Sequence, residues 1–432
     1  MKIAILGYGE QGRSAYEHWR GGNEITVCDE NDKVSLPEGV GRKLGAGYLQ
    51  GLDNFDLVVR SPGIHPSDVV AANSPAILDK MTTVTNEFFK LCPTKNIIGV
   101  TGTKGKGTAS TLIAKMLEAD GWRVHLGGNI GIPPFDMLKD GIQADDWVVL
   151  ELANFQLIDL KYSPAIAVCL MVVPEHLNWH TDHEEYVSAK QQLFARQTDQ
   201  DIAIYFSENE DSKRVASIGD GQKIPYYAPP GAVVHDDKIM IGGQAVCEVG
   251  ELKLLGKHNW QNACAAVTAV WQITQNVKAM RPVLASFTGL EHRLELVREL
   301  HGVRYYNDSF GTTPETAIVA MEAFSEPEIL ILGGQGKGIP FNNLAEAVVK
   351  YNPKRVITIG ETGDEIGRLL KAGGYKNAVS GGSDIVKIIE LARKLAAPGD
   401  VVLLSTACTS FDMFDNYKQR GEQFKQVVRA LA

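Results

Sequence analysis

The chain has 432 residues, a net charge of −9, and 44% apolar against 22% charged residues. That length exceeds a single hydrophobic core at roughly 100–200 residues per domain, so three domains are expected. The composition excludes a fibrous or disordered chain, the acidic balance disfavours nonspecific nucleic-acid binding, and no apolar run approaches the roughly 20 residues that span a bilayer. The N-terminus turns glycine-rich and charged within a few residues and carries no small-residue cleavage site, which predicts a cytoplasmic protein. Six cysteines lie far apart without a C-x-x-C pair, mostly among apolar neighbours, and are expected as reduced core thiols. A small-molecule substrate is the default partner.

In chain order, KIAILG reads as a buried strand, GEQG as a glycine turn opening a helix, and EITVCDE as a second strand ending at Asp29. Gly7, Gly9 and Gly12 fit G-x-G-x-x-G, and Asp29 stands near the distance of a ribose-binding acid. The run FDLVVRSPGI predicts a third strand closed by a turn at Ser61–Pro62–Gly63. Around Leu91–Cys92–Pro93 the pattern restarts, with NIIGV as a strand, TGTKGKG as a loop and TASTLIAKMLEADG as a helix with apolar spacing. Glycine-freed amides and the positive end of that helix suit phosphate oxygens, with Lys106 reaching the β/γ phosphates. The pattern G-x-x-x-x-G-K-[ST] fails twice, because Val100 holds the first glycine position and Gly107 the hydroxyl position, with Thr108 one residue late.

WVVLEL and AIAVCLMVV are continuous apolar runs of the kind a parallel sheet buries on both faces. Glu151 in ELANFQL falls at the C-terminal end of such a strand, where α/β sheets collect ligands and where a lone acid is also often a cap. In PEHLNWHTDHEEYVSAK, His176, His180 and His183 have a spacing compatible with zinc ligands, but no fourth ligand or open water position is evident. Beyond FTGLEHRLELV, the runs VRYYND, EILILGG, RVITIG and VVLLS alternate with helical stretches as another α/β sheet.

Taken in order, GYGEQG, SPGI, TGTKGKGT, GGNIG, ELANFQL, EHLNWH with YVSAK, GKHNWQN, FTGLEHRLE, NDS, LGGQGKG and LSTACTSFDMFDNYKQRG run nearly end to end and resemble the Mur ligase family. The resemblance implies an α/β protein of three domains. These are an N-terminal Rossmann-like domain for a UDP sugar (1–91), a central P-loop ATPase-like domain with a mostly parallel sheet (92–296), and a C-terminal Rossmann-like domain for the incoming amino acid (297–432). It implies a monomeric ligase in which ATP phosphorylates the carboxylate of UDP-MurNAc-L-Ala and the amine of D-glutamate attacks the acyl phosphate.

By the same resemblance Lys106, His176 and Lys190 are catalytic. Gly102, Thr103, Lys104, Gly105, Lys106, Gly107, Thr108, Asn259, His292, Arg293 and Asp308 bind ATP. Gly9, Glu10, Gln11, Asp29 and Asn129 bind the UDP sugar, and Thr312, Lys337, Ser410 and Phe411 the amino acid. Thr108, Glu151, His176 and Lys190, the last carbamylated by carbon dioxide, hold two Mg2+ ions, which gives the histidine segment a metal role without zinc.

Three departures stand out: Phe310 in place of the lysine of NDSKAT, Met171 in place of an asparagine, and Ala153–Asn154 in place of two serines. The loop GTKGKGT is more similar to that of folylpolyglutamate synthase, so Gly107 is compatible with nucleotide binding. A folate ligase lacks the N-terminal section, however. An NAD-dependent oxidoreductase leaves GTKGKGT and the Lys190 segment unexplained, and a catalytically idle binding subunit, suggested by Phe310 and Gly107, predicts no ATP turnover.

Overall fold

Strands that alternate with helices and carry unbroken apolar runs build parallel sheets covered on both faces. The computed structural model describes residues 1–432 apart from Ile130, Leu255, Lys337 and Gly338. It divides into two compact units, Met1–Phe287 and Thr288–Ala432.

The first unit holds two parallel sheets. The N-terminal one has the order Gly41–Leu44, Glu24–Asp29, Lys2–Leu6, Leu57–Arg60, Met81–Thr82. The strand at FDLVV is therefore the fourth in the chain. The third, Gly41–Leu44, is a short, half-exposed strand of sequence GRKL with no apolar pattern to announce it. The second sheet has the order Gln222–Tyr226, Ile202–Phe206, Ile166–Cys169, Ile97–Thr101, Trp147–Glu151, Val124–Gly128, again all parallel. Its core strands IIGVT and IAVC are buried at every position. An antiparallel sheet of Val233–His235, Lys238–Ile241 and Gln244–Glu248 follows.

The run AIAVCLMVV leaves the sheet at Cys169. Leu170 N still donates to Thr101 O, and Met171 O then turns to accept from Thr103 N at 2.8 Å, so the last apolar residues brace a loop instead of extending a strand. The helix after the glycine loop, Lys106–Ala119, buries nine of its fourteen residues between that sheet and the helix Lys257–Trp271.

The second unit is a sheet in the order Glu295–Leu300, Val303–Asn307, Val401–Leu404, Glu328–Gly333, Arg355–Ile359, Ala378–Gly382. It is parallel except for the hairpin of its first two strands. The expected runs VRYYN, EILILG, RVITI and VVLL all fall within it. All six cysteines are buried and unpaired.

Candidate active site

In the first unit the second glycine turn leaves the middle of its sheet, where the neighbouring strands Ile166–Cys169 and Trp147–Glu151 run on to either side. Such a switch point opens a crevice at the C-terminal strand ends. Two glycines are forced there. Gly102 has φ +144° and a β-carbon would lie 2.7 Å from Leu170 Cβ; Gly105, which caps the helix, has φ +86° and a β-carbon would lie 2.2 Å from Asn262 Oδ1. Thr103 fastens the loop, its hydroxyl 3.0 Å from Val173 O and 2.8 Å from the Tyr186 hydroxyl.

Three lysines surround this turn. Lys106 Nζ donates to Gly102 O at 3.1 Å and Thr103 O at 3.0 Å, and Lys104 pairs with Glu175. Lys190, fully buried, donates to Gly102 O at 3.0 Å and lies 4.3 Å from the centre of the Tyr186 ring. Burial, and then the charge of Lys106, lowers Lys190 to about 7. At neutral pH it is thus partly an unprotonated amine, the form that reacts with carbon dioxide.

Glu151 ends the adjacent strand. Its Oε1 accepts from Asn129 Nδ2 at 2.9 Å, its carbonyl accepts from Asn129 N at 2.8 Å, and its buried Oε2 has no hydrogen-bond partner. A buried carboxylate oxygen left unsatisfied at a ligand-collecting strand end fits a divalent cation. His176, with φ +58°, packs on Phe155 at 4.8 Å. Burial lowers its pKa, with Lys106, Lys190 and Lys104 adding to the effect and Glu175 opposing it, so its imidazole is neutral and able to ligate.

The other two histidines of that segment point elsewhere. His180 accepts from Asn154 Nδ2 at 2.8 Å and meets Glu185 at 3.2 Å, whereas His183 meets Asp211 at 2.8 Å. The zinc spacing therefore produces no convergence of the three, since each takes a separate partner. Asn259 is the third residue of the helix Lys257–Trp271 that packs along Lys106–Ala119, and Asn262 Nδ2 donates to its Oδ1 at 3.0 Å. Asn262, three residues beyond Asn259 in the same GKHNWQN motif, and Tyr186 join the site without a spacing signal that singles them out.

The first glycine turn is built differently. Gly7 has φ +79°, and a β-carbon on Gly12 would lie 2.0 Å from Gly7 O. Asp29 accepts from Tyr8 N at 2.7 Å and Asn31 N at 2.9 Å, while Gly9 caps and Glu10 begins the helix Glu10–Trp19, with Gln11 following in its first turn. Asn129, expected with these residues, follows the strand Val124–Gly128 of the second sheet and donates to Glu151.

In the second unit, Val303–Asn307, Val401–Leu404 and Glu328–Gly333 are neighbours, and their C-terminal loops carry Asp308, Ser410, Phe411 and the GGQG stretch. Burial raises Asp308 to about 6, although Ser405 Oγ donates to it at 2.7 Å and Leu294 N at 3.1 Å. His292, buried with φ +63°, accepts from Asn307 Nδ2 at 2.9 Å. Arg293 is exposed, 5.8 Å from the Phe310 ring, which stands edge-on to Tyr417. Thr312 is half-buried, Ser410 buried and Phe411 64% exposed. Lys337 lies outside the described residues. Arg420, to which the sequence pattern assigns no role, is fully buried and donates to Ser309 Oγ and Ser309 O at 2.8 Å and to Cys408 O at 3.1 Å, tying the 307–310 and 405–411 loops together.

Comparison with known proteins matches a model of the Mur ligase middle domain to residues 100–270 and one of the Mur ligase glutamate ligase domain to residues 292–408. A UDP-N-acetylmuramoylalanine–D-glutamate ligase of Clostridium tetani is 35% identical over 100% of this chain and 97% of its own length. One of Symbiobacterium thermophilum is 37% identical over 95% and 94%. Among solved structures, UDP-N-acetylmuramate-alanine ligase MurC of Thermotoga maritima has a TM-score of 0.58 at 18% identity, covering 100% of this chain and 99% of that one. MurF ligase of the same organism, in complex with ADP, has a TM-score of 0.57 at 17% identity, covering 100% and 95%. These two share the fold.

Proposed function

The chain belongs to the Mur ligase family, and from that premise we propose which residues carry its reaction, the ATP-dependent joining of D-glutamate to UDP-N-acetylmuramoyl-L-alanine in peptidoglycan precursor synthesis. Two anions, the acceptor carboxylate and the γ-phosphate, must meet, so the site needs fixed positive charge. The observation that carries the assignment is the set of Lys104, Lys106 and Lys190 around one glycine turn, beside the unsatisfied Oε2 of Glu151.

Lys106, the turn Gly102–Thr108 and Asn259 hold the triphosphate in the first unit, and His292, Arg293 and Asp308 of the second are assigned to ATP by the family resemblance. Glu151, His176, Thr108 and a carbamylated Lys190 would hold two Mg2+ ions. The ions, when bound, neutralise phosphate charge. The acceptor carboxylate attacks the γ-phosphorus and releases ADP. The glutamate amine then attacks the acyl carbon, loses a proton and expels inorganic phosphate. Gly9, Glu10, Gln11, Asp29 and Asn129 take the UDP sugar, and Thr312, Lys337, Ser410 and Phe411 the glutamate.

The three functions are assigned to residues 1–91, 92–296 and 297–432. Among the described residues no helix is long and apolar enough to cross a membrane, and the protein is assigned as a cytoplasmic monomer acting on small molecules from the family resemblance. Phosphate release from ATP, measured with UDP-MurNAc-L-Ala and a panel of amino acids, tests the reading. D-Glutamate is expected to give the highest rate and a product heavier by one glutamyl residue. Equal release without acceptor rejects it.

A further inference from the structure

Arg60 ends the strand Leu57–Arg60 of the N-terminal sheet, yet its side chain is fully buried and turned toward the second sheet. Its Nε and Nη2 form a bidentate pair with Asp159, at 2.8 and 2.6 Å, and Nη2 also donates to Phe155 O at 3.0 Å. Nη1 donates back to Ser61 O, Pro62 O and Ile64 O, at 3.1, 3.3 and 2.7 Å. The remaining carbonyl of that loop, Gly63 O, accepts from Trp179 Nε1 at 3.1 Å. All four carbonyls of Ser61–Ile64 are thus held by side-chain donors, from Arg60 and from Trp179 of the second sheet's loops.

The two ends of this clamp reach the two candidate sites. On one side Ser61 Oγ donates to Gly7 O at 3.0 Å, in the first glycine turn. On the other, Phe155 follows Glu151 by four residues and its ring packs on His176, while Trp179 lies three residues beyond His176. A second tie runs parallel to the first. Ser67 N donates to His65 Nδ1, which leaves His65 Nε2 to donate to Glu185 Oε2 at 3.3 Å, the oxygen that also accepts from Thr181 N and meets His180. With Nδ1 facing Ser67 N and Nε2 facing Glu185, the grouping of His65, His180 and Glu185 is read as a hydrogen-bonded tie.

We propose that Arg60 is a positioning residue: it keys the acceptor-binding turn of the N-terminal sheet to the segment that follows Glu151 and packs on His176 through Phe155, and so sets the distance at which the acceptor carboxylate meets the phosphate. The proposal rests on the assignment of UDP sugar and ATP to the two turns. An acceptor gripped by its nucleotide on one sheet and reacting at another gains rate only if the two are held in register, and a misplacement near 1 Å costs on the order of 100-fold. A planar five-donor fork fixes both partners at once, which an ammonium cannot do.

The test compares wild type, Arg60→Lys, Asp159→Asn and Trp179→Phe for kcat, KM of ATP, UDP affinity by calorimetry, and melting temperature. Arg60→Lys keeps the charge and loses the fork, and its kcat is expected to fall at least ~10-fold while UDP affinity and KM of ATP stay within ~3-fold. Asp159→Asn is expected to follow it, and Trp179→Phe, which loses a single donor to Gly63 O, to show a smaller loss of the same kind. Folded variants with wild-type kcat overturn the proposal, as does a loss of UDP affinity or of ATP KM in proportion to kcat, which marks a merely structural bridge. If Arg60→Lys does not fold, Trp179→Phe decides alone. A wild type that makes no product from ATP, acceptor and glutamate rejects the functional assignment instead.

Discussion

The two glycine turns of the first unit use one backbone device and differ in everything attached to it. Each leaves a strand flanked on both sides of a parallel sheet, bends through a glycine at positive φ, and opens a helix. Around the first turn stand Glu10 and Asp29, whose carboxylates lie at the helix start and on the Tyr8 and Asn31 amides. Around the second stand Lys104, Lys106 and the buried Lys190. Glycine spacing provides a concave backbone, and the charge brought by neighbouring strands and helices decides what enters it. A cationic turn attracts a triphosphate, whereas carboxylates beside the first turn can accept from ligand hydroxyls such as those of a ribose.

The strongest way to break this contrast is to remove charge from the second turn. Lys106→Ala is expected to lower kcat by at least ~100-fold, the scale for deleting a donor that faces developing charge, with the melting temperature within a few degrees and UDP affinity unchanged. Retained turnover in steady-state assays removes Lys106 from the site. Lys190→Ala is expected to lose activity on a similar scale and to regain part of it with added short carboxylic acids, whose oxygens replace those of a carbamate. A fully active variant makes Lys190 a core lysine only.

A smaller effect is expected at the first turn. Asp29→Ala frees the Tyr8 amide and should raise the acceptor KM ~10-fold, about 1.4 kcal/mol, with the ATP KM unaltered. A change confined to ATP contradicts the division of labour.

The smallest effect is on stability. Because the folded chain holds Lys190 at about 7 and an ordinary lysine titrates at 10.5, the unfolded chain binds more protons between those pH values. Stability from this group therefore rises with pH across that window and is flat below it. In carbon-dioxide-free buffer, Lys190→Met should remove that rise in thermal melts, a shift of a few degrees, while Asp29→Asn leaves it in place.

Legibility in the sequence followed how local each feature is. Both glycine turns, the helix Lys106–Ala119 and the buried parallel strands are written in contiguous residues and were expected from them. The edge strands Gly41–Leu44 and Met81–Thr82 and the antiparallel sheet 233–248 are short or polar at alternate positions, and carry too little pattern to read. The fates of His180 and His183 depended on Asn154, Glu185 and Asp211, which no spacing rule links. Arg60 and Asp159 are 99 residues apart, and only the packing of one sheet against the next brings them together. The lowered pKa of Lys190 likewise comes from burial, which a lysine in a sequence never advertises.

The most direct test of the central claim, that the cationic second turn activates the acceptor carboxylate with ATP, is the fate of an oxygen label. With 18O in the carboxylate of UDP-MurNAc-L-Ala, turnover with D-glutamate should place one labelled oxygen in each inorganic phosphate released and none in ADP. Unlabelled phosphate, or label recovered in AMP, contradicts it.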